Sequence, residues 1–245
     1  MYEKQAKYMK LYKYARMCWA SYFYFDFLNT RNIFELDFNQ EKIQEENSLR
    51  GYREIKVNLE HVVSQKHKDK EVLIDLRQDD AWQSKMLNFF DEKTNFDKLN
   101  GEFGELQTKN FIQRYEVQFH QPNTTSGFSA TLFYDKEKDE FIVGFRGTEG
   151  FWNIDTVQDI TLSLNGNIQS SSLLEFLEQV NKIIKNKHKR IIFVGHSLGG
   201  YLAQMALIYC DIKYKDKLSF SPNEVYTFNS PSVYGWNFPN IAINP

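Results

Sequence analysis

The chain has 245 residues, 42% hydrophobic and 25% charged, with 30 Lys+Arg against 32 Asp+Glu. That composition excludes a disordered or collagen-like chain, and a formal charge of −2 gives no electrostatic basis for a nucleic-acid partner. Two cysteines, Cys18 and Cys210, lie far apart without CxxC or His/Cys spacing, so neither a disulfide framework nor a metal site is expected.

Residues 1–28 read as a helix. Tyr8, Tyr12, Ala15, Trp19 and Phe23 recur at three- and four-residue steps, which predicts a buried stripe with Lys4, Lys7, Lys10 and Lys13 beside it. Two readings stand: a docked helix with a solvated lysine face, and a basic aromatic helix resting on an anionic membrane surface. The apolar run from Met17 to Leu28 is too short to span a membrane, carries Asp26 and lacks a signal-peptide cleavage site. A cytoplasmic protein is therefore expected, with signal-independent secretion as the other route.

Residues 29–110 alternate charged stretches with short apolar runs such as Val72-Leu73-Ile74. His67, inside Lys66-His67-Lys68-Asp69-Lys70-Glu71, reads as solvated, and His61 carries no assignment. Gly101 and Gly104 mark a loop, and the texture then changes. The expected division is a helical N-terminal region, 1–110, followed by a core at 111–245.

Phe111 to Phe119 has strand character, and His120-Gln121-Pro122-Asn123 breaks it. Phe128 to Tyr134 and Phe141 to Phe145 read as two strands joined by the polar tip Asp135–Asp139, a hairpin. Ser170-Ser171-Ser172 opens a helix, with Ser172 and Glu175 at capping-box spacing and an apolar face from Leu173 to Ile184. The strand Ile191–Val194, the helix Leu198–Cys210 and the strand Val225–Phe228 follow. Strands that are continuously apolar and alternate with helices predict an α/β fold: a mostly parallel sheet with helices on both faces.

Gly195-His196-Ser197-Leu198-Gly199 is a GxSxG sequence at the point where a strand turns into a helix. Such a turn lifts the Ser197 hydroxyl above the sheet, and side chains at 195 and 199 would collide there, so both positions need glycine. The N-terminus of the next helix favours negative charge developing beside the serine, which makes Ser197 the candidate nucleophile and the Leu198 N–H an oxyanion donor. A phosphate loop is excluded, because Tyr201 stands where that loop needs lysine.

A second constellation, Phe145-Arg146-Gly147-Thr148-Glu149-Gly150, follows a strand directly. Thr148 supplies an amide and a hydroxyl as the second oxyanion donor, and Asp159 is placed to hold that hydroxyl, with Asp155 the weaker candidate.

The order strand–FRGT, helix, strand–GHSLGG, helix, Tyr226-Thr227-Phe228-Asn229-Ser230-Pro231 resembles the class 3 (fungal-type) lipase family of α/β-hydrolases, from about Gly127 to Gly235. The resemblance implies that Ser197 is the nucleophile, Thr148 an oxyanion donor and Asp159 its support, and that Asn229 replaces the family's usual glycine. It also implies an acid and then a histidine after this strand. All five histidines, His61, His67, His120, His188 and His196, precede Ser197. The chain is therefore expected to stop before the family's acid and histidine. Three explanations stand: a piece of a longer lipase, a non-catalytic descendant, or an enzyme with an unorthodox base.

The function expected is a serine ester hydrolase cleaving lipid acyl esters through an acyl-enzyme on Ser197, needing no metal and no organic cofactor. Its partner would be a lipid or small ester substrate, with contact to a membrane surface and none to nucleic acid. The alternative is a catalytically silent lipid- or protein-binding module on the same fold. A thioesterase or peptidase also stays open, because GxSxG fixes the nucleophile and not the leaving group.

Overall fold

The structure is a computed structural model that describes residues 2–28, 32–37, 52–75, 93–124, 127–147, 167–185 and 189–233. It divides into two compact units, one of residues 1–22 with 123–245 and one of residues 23–122. A single boundary at 110/111 does not describe this division. The N-terminal helix packs with the core of residues 123–245.

In the first unit, α1 (Tyr2–Ala20) precedes β6 (Ala130–Asp135), β7 (Glu140–Phe145), α4 (Asn167–Ile184), β8 (Arg190–His196), α5 (Leu198–Ile208) and β9 (Glu224–Phe228). A one-turn π segment, Tyr209–Lys213, prolongs α5. The expected hairpin forms, with Ala130 opposite Phe145 and Asp135 opposite Glu140 in antiparallel register. β7 then runs parallel to β8, and β8 parallel to β9, so the strands lie in the order β6-β7-β8-β9. Every residue of β7 is buried, as is the interior of β8, which is the burial expected of strands covered on both faces.

Side-chain alternation shows what covers each face. Tyr226 on β9 stacks on Tyr14 of α1, with ring centroids 4.3 Å apart. Phe145, facing the other way, meets Phe176 of α4 at 6.2 Å and Phe193 at 5.4 Å. Gly195, on the same side as Phe193, faces the first turn of α5. Helices therefore lie on both faces, α1 on one and α4 with α5 on the other, as in an α/β-hydrolase-like fold. α4 buries Leu173, Phe176, Leu177, Val180 and Ile184, a helical stripe, but it begins at Asn167, so Ser172 lies inside the helix and does not cap it.

α1 docks on a different stripe from the one expected. Tyr14, Met17, Cys18 and Ser21 are buried, whereas Tyr8, Tyr12 and Trp19 are 59%, 55% and 38% exposed. Charge explains the choice. Lys13 Nζ lies 2.6 Å from Asp135 Oδ2 and also pairs with Glu140, whose carboxylate accepts a 3.3 Å bond from the Tyr14 hydroxyl. Lys10 reaches Glu224 at 2.6 Å, and Arg190 joins the same carboxylate at 2.5 Å. Burial, followed by the charges of Glu140 and Glu224, pushes the Tyr14 hydroxyl well above its ordinary value. Cys18 and Cys210 are buried and not joined, and burial pushes each thiol up to about 12, so both are inert.

The second unit holds an antiparallel sheet of β1 (Asn32–Asp37), β2 (Tyr52–Lys56), β3 (Glu71–Asp75) and β4 (Lys93–Lys98) in the order β2-β1-β3-β4. It also holds α2 (Leu59–Val63), α3 (Glu105–Arg114) and β5 (Tyr115–Gln121). The expected strand over Phe111–Phe119 is thus a helix that passes directly into a strand at Tyr115. Phe103 meets Phe23 at 4.9 Å and Phe111 at 5.3 Å, and this cluster is the unit's core. His67 is buried, not solvated: a short 3-10 turn over Gln65–His67 carries its ring inward, edge-on to His61 at 4.8 Å.

Candidate active site

β8 ends at His196 and α5 begins at Leu198, so a single residue makes the turn between strand and helix. Ser197 occupies it at φ 55°, ψ −127°. Such backbone costs a non-glycine residue on the order of 1–3 kcal/mol and persists only where the surroundings enforce it. Here they do. The Ser197 N–H donates to the Phe228 carbonyl at 3.0 Å, and the Ser197 carbonyl accepts from Gly200 N–H at 3.0 Å and Tyr201 N–H at 3.3 Å.

Gly195 and Gly199 stand where the spacing requires them. A Cβ at 195 would overlap the carbonyl of Gly199, and one at 199 would overlap the carbonyl of Phe145 and come within 2.9 Å of the Gly147 nitrogen. The end of β7 therefore packs straight onto the first turn of α5. Leu198 is that helix's first residue. Its N–H has no acceptor within the helix and belongs to the end where the peptide dipoles favour negative charge.

The exit of β7 is described as far as Gly147. Arg146 is buried there, and its N–H donates to the Ser129 carbonyl at 3.0 Å. Thr148, Asp155, Asp159 and His188 lie outside the described residues. The site as described thus brings Gly147, Gly195, Ser197, Leu198 and Gly199 together.

β9 supplies the third wall. Asn229 has φ 47°, the left-handed region that asparagine tolerates better than other non-glycine residues. Beyond it, Gln204 of α5 staples the chain. Its Nε2 donates to Ser230 Oγ at 3.1 Å and to the Pro231 carbonyl at 3.0 Å, and its Oε1 accepts from Val233 N–H at 3.4 Å. Sequence reasoning passed over Gln204, although a lone amide in the apolar run Leu198–Ile208 is a legible signal. It also passed over Tyr22, whose hydroxyl lies 3.2 Å from Nδ1 of the exposed His196 and for which no local pattern gives a cue.

The other described histidines lie in the second unit. His120, on β5, lies edge-on to Phe25 at 5.8 Å and 3.8 Å from an Asp26 oxygen. His61 accepts the Asn58 N–H at 3.2 Å through Nδ1 while Asn58 Oδ1 accepts the His61 N–H at 3.1 Å, a reciprocal helix cap. Burial, then the neighbouring charges of His67 and Lys66, push His61 down to about 4. Among the described residues no group of three metal-ligating side chains converges.

A serine on a strand-to-helix turn, with the first amide of the helix beside it, can serve attack on an acyl carbon and hold the resulting oxyanion. Solved structures similar to the chain include Lip2 lipase from Yarrowia lipolytica, at 22% identity over 51% of this chain and 49% of that one, with a TM-score of 0.38. A lipase from Rhizopus microsporus var. chinensis is 17% identical over 51% and 48%, with a TM-score of 0.37. The Rhizomucor miehei lipase propeptide complex, in a deletion-mutant form, is 15% identical over 51% and 43%, with a TM-score of 0.35. The chain spans about half the length of these structures. None of the curated proteins matches it. The family model that matches is described as Mbeg1-like, where the motifs resemble class 3 lipases; it covers residues 99–237, more than half of the chain and the whole of the Ser197 turn. The chain belongs to the Mbeg1-like family.

Proposed function

We propose that the protein is a serine ester hydrolase of the lipase type, acting on lipid or small acyl esters. The observation that carries this reading is Ser197 at φ 55° between β8 and α5, enforced from both sides by backbone hydrogen bonds. The kinship with class 3 lipases implied by GHSLGG and FRGT supports it. In the proposed step Ser197 Oγ forms a bond to the acyl carbon and gives its proton to a base. The carbonyl oxygen becomes an oxyanion held by the Leu198 N–H and by Thr148, with Asp159 supporting Thr148. Collapse expels the alcohol, which takes up a proton, and water then releases the acid from Ser197. The roles assigned are those of nucleophile, oxyanion donors and support. All five histidines precede Ser197, so none is assigned as the base in the order this fold uses.

The exposed side of α1 supports contact with a membrane surface. Tyr8, Met9 and Tyr12 stand out from it near the exposed Lys4 and Lys7, a combination suited to anionic headgroups. Co-sedimentation with phosphatidylserine vesicles, lost in Lys4→Glu/Lys7→Glu, is the expected result; equal sedimentation of the variant removes this part of the reading.

The decisive experiment is intact mass after treatment with a fluorophosphonate probe, beside Ser197→Ala. A single adduct that disappears in Ser197→Ala supports an activated serine and requires a base within these 245 residues. A folded chain that takes no adduct means that the site is incomplete within these residues, which leaves a piece of a longer hydrolase or the silent binding module.

A further inference from the structure

The second glycine of GHSLGG, Gly200, is explained by the chain that follows β9. A Cβ at 200 would lie 2.5 Å from Ser230 Cβ and 2.6 Å from Ser230 Oγ, so glycine there lets Ser230 pack against the first turn of α5. One turn further along the helix, Gln204 takes hold of the same segment. Its Nε2 lies 3.1 Å from Ser230 Oγ, 3.0 Å from the Pro231 carbonyl oxygen and 3.2 Å from the Gly200 carbonyl oxygen, with its two protons shared among them. Its Oε1 accepts from the Val233 N–H at 3.4 Å. The backbone fixes which way this amide faces, because a carbonyl can only accept and a backbone N–H can only donate. Ser230 Oγ in turn donates to the Pro231 carbonyl at 2.9 Å. The Ser197 N–H donates to the Phe228 carbonyl at 3.0 Å, so positions 197, 200 and 204, three and four residues apart, form one seam against residues 228–233.

We propose that Gln204 is a positioning residue for Ser197, acting through residues 228–233. This role rests on the reading of Ser197 as the nucleophile. The backbone of Ser197 is strained, and it persists only while its surroundings hold it. Part of that hold is the Phe228 carbonyl, which belongs to the last pair of the β8–β9 ladder, His196 opposite Phe228. The ends of a ladder open more readily than its interior, and just past this pair Asn229 turns the chain at φ 47°. Gln204 closes that end. By binding Ser230, Pro231 and Val233 to α5, it keeps the chain beyond Phe228 on the helix that starts at Ser197. The Phe228 carbonyl, the Ser197 turn and the Leu198 N–H then move as one body. A misplacement of about 1 Å between a nucleophile and its oxyanion donor costs up to a hundredfold in rate.

The test compares the full chain with Gln204→Leu, which keeps the bulk and removes the hydrogen bonds, by two readouts. In amide hydrogen exchange followed by NMR, the Ser197 N–H should lose protection about tenfold or more in the variant, while the interior amides of β8 keep theirs. The limiting rate at which a fluorophosphonate labels Ser197 should fall about tenfold or more, with the probe concentration for half that rate unchanged. Ser197 exchange that stays the same, or that rises only in step with the interior of β8, overturns the proposal; the second result makes Gln204 an ordinary stabilising residue. Selective loss of protection with labelling unchanged, or with a loss confined to probe binding, overturns it as well. Where Gln204→Leu fails to fold, Gln204→Asn gives the same readouts, with the amide kept but drawn back by one methylene. An unmodified chain that never labels, yet loses Ser197 protection selectively in the variant, marks failure of the nucleophile reading, and with it of the role in reactivity, with the hold on the turn itself upheld.

Discussion

The Ser197 N–H donates to the carbonyl of Phe228 at 3.0 Å, so the strained turn at the end of β8 is fastened to the residue just before the left-handed Asn229 at the end of β9. The two departures from ordinary backbone are thus neighbours across one hydrogen bond. Asn229→Gly should leave stability within about 0.5 kcal/mol, and Asn229→Val should cost about 1–2 kcal/mol, read from urea midpoints. Equal effects of the two substitutions would show that this backbone is not held left-handed.

Glycines held by geometry of different kinds should fail differently. Gly195→Ala thrusts a methyl group into the backbone of α5's first turn, and overpacking there should cost on the order of 3 kcal/mol and abolish labelling of Ser197. Gly127 has φ 78° and open space around it, so Gly127→Ala should cost about 1–2 kcal/mol from backbone conformation alone and leave labelling intact. Chemical denaturation with probe labelling separates the two.

The lysines of α1 should likewise divide by burial. Lys13 is 15% exposed against a fully buried Asp135, so Lys13→Met removes the cation that Asp135 and Glu140 share and should cost on the order of 3 kcal/mol. Lys10, 43% exposed at its pair with Glu224, should lose less than about 1 kcal/mol on the same change. A small loss for both would mean that α1 is not fastened by its charges.

His61 makes stability depend on pH. Its folded value near 4 lies below the ordinary 6.5, so the unfolded chain takes up a proton that the folded chain refuses between those limits. Stability is fully present above about pH 6.5 and falls as the pH drops toward 4, by on the order of 1–2 kcal/mol once solvent screening is allowed for. Glutamine suits this capping position without titrating, so His61→Gln should flatten the curve in that window. An unchanged curve would assign the loss to other groups.

The elbow was legible because its signature is local: Gly195 is required by backbone atoms within five residues, and the GxSxG spacing reports it, although Gly199 is required by the distant Phe145 carbonyl of β7. The hairpin and the parallel strands were legible for a related reason, since strands buried on both faces need unbroken apolar runs. α1 was misread because two stripes on it both have helical spacing. The winner was decided by Asp135, Glu140 and Glu224, more than a hundred residues away. The sheet of the second unit is built from strands such as Glu71–Asp75 and Lys93–Lys98, whose charged residues mask any apolar alternation. Tyr22 is the extreme case, since its contact with His196 is made at a turn that the chain reaches much later.

That α1 belongs with residues 123–245 has a consequence for synthesis on the ribosome. The helix emerges before residues 23–122, and the strands that cover Tyr14, Met17 and Cys18 emerge only after the whole of that stretch. Closing so long an interval carries an entropic cost and makes the sheet's assembly slow relative to that of a unit built from neighbouring segments. During that delay the docking face of α1 is an uncovered apolar surface, with Lys10 and Lys13 still without their carboxylates. The nascent chain is then most exposed to aggregation, and most dependent on a chaperone, before β7 has been made.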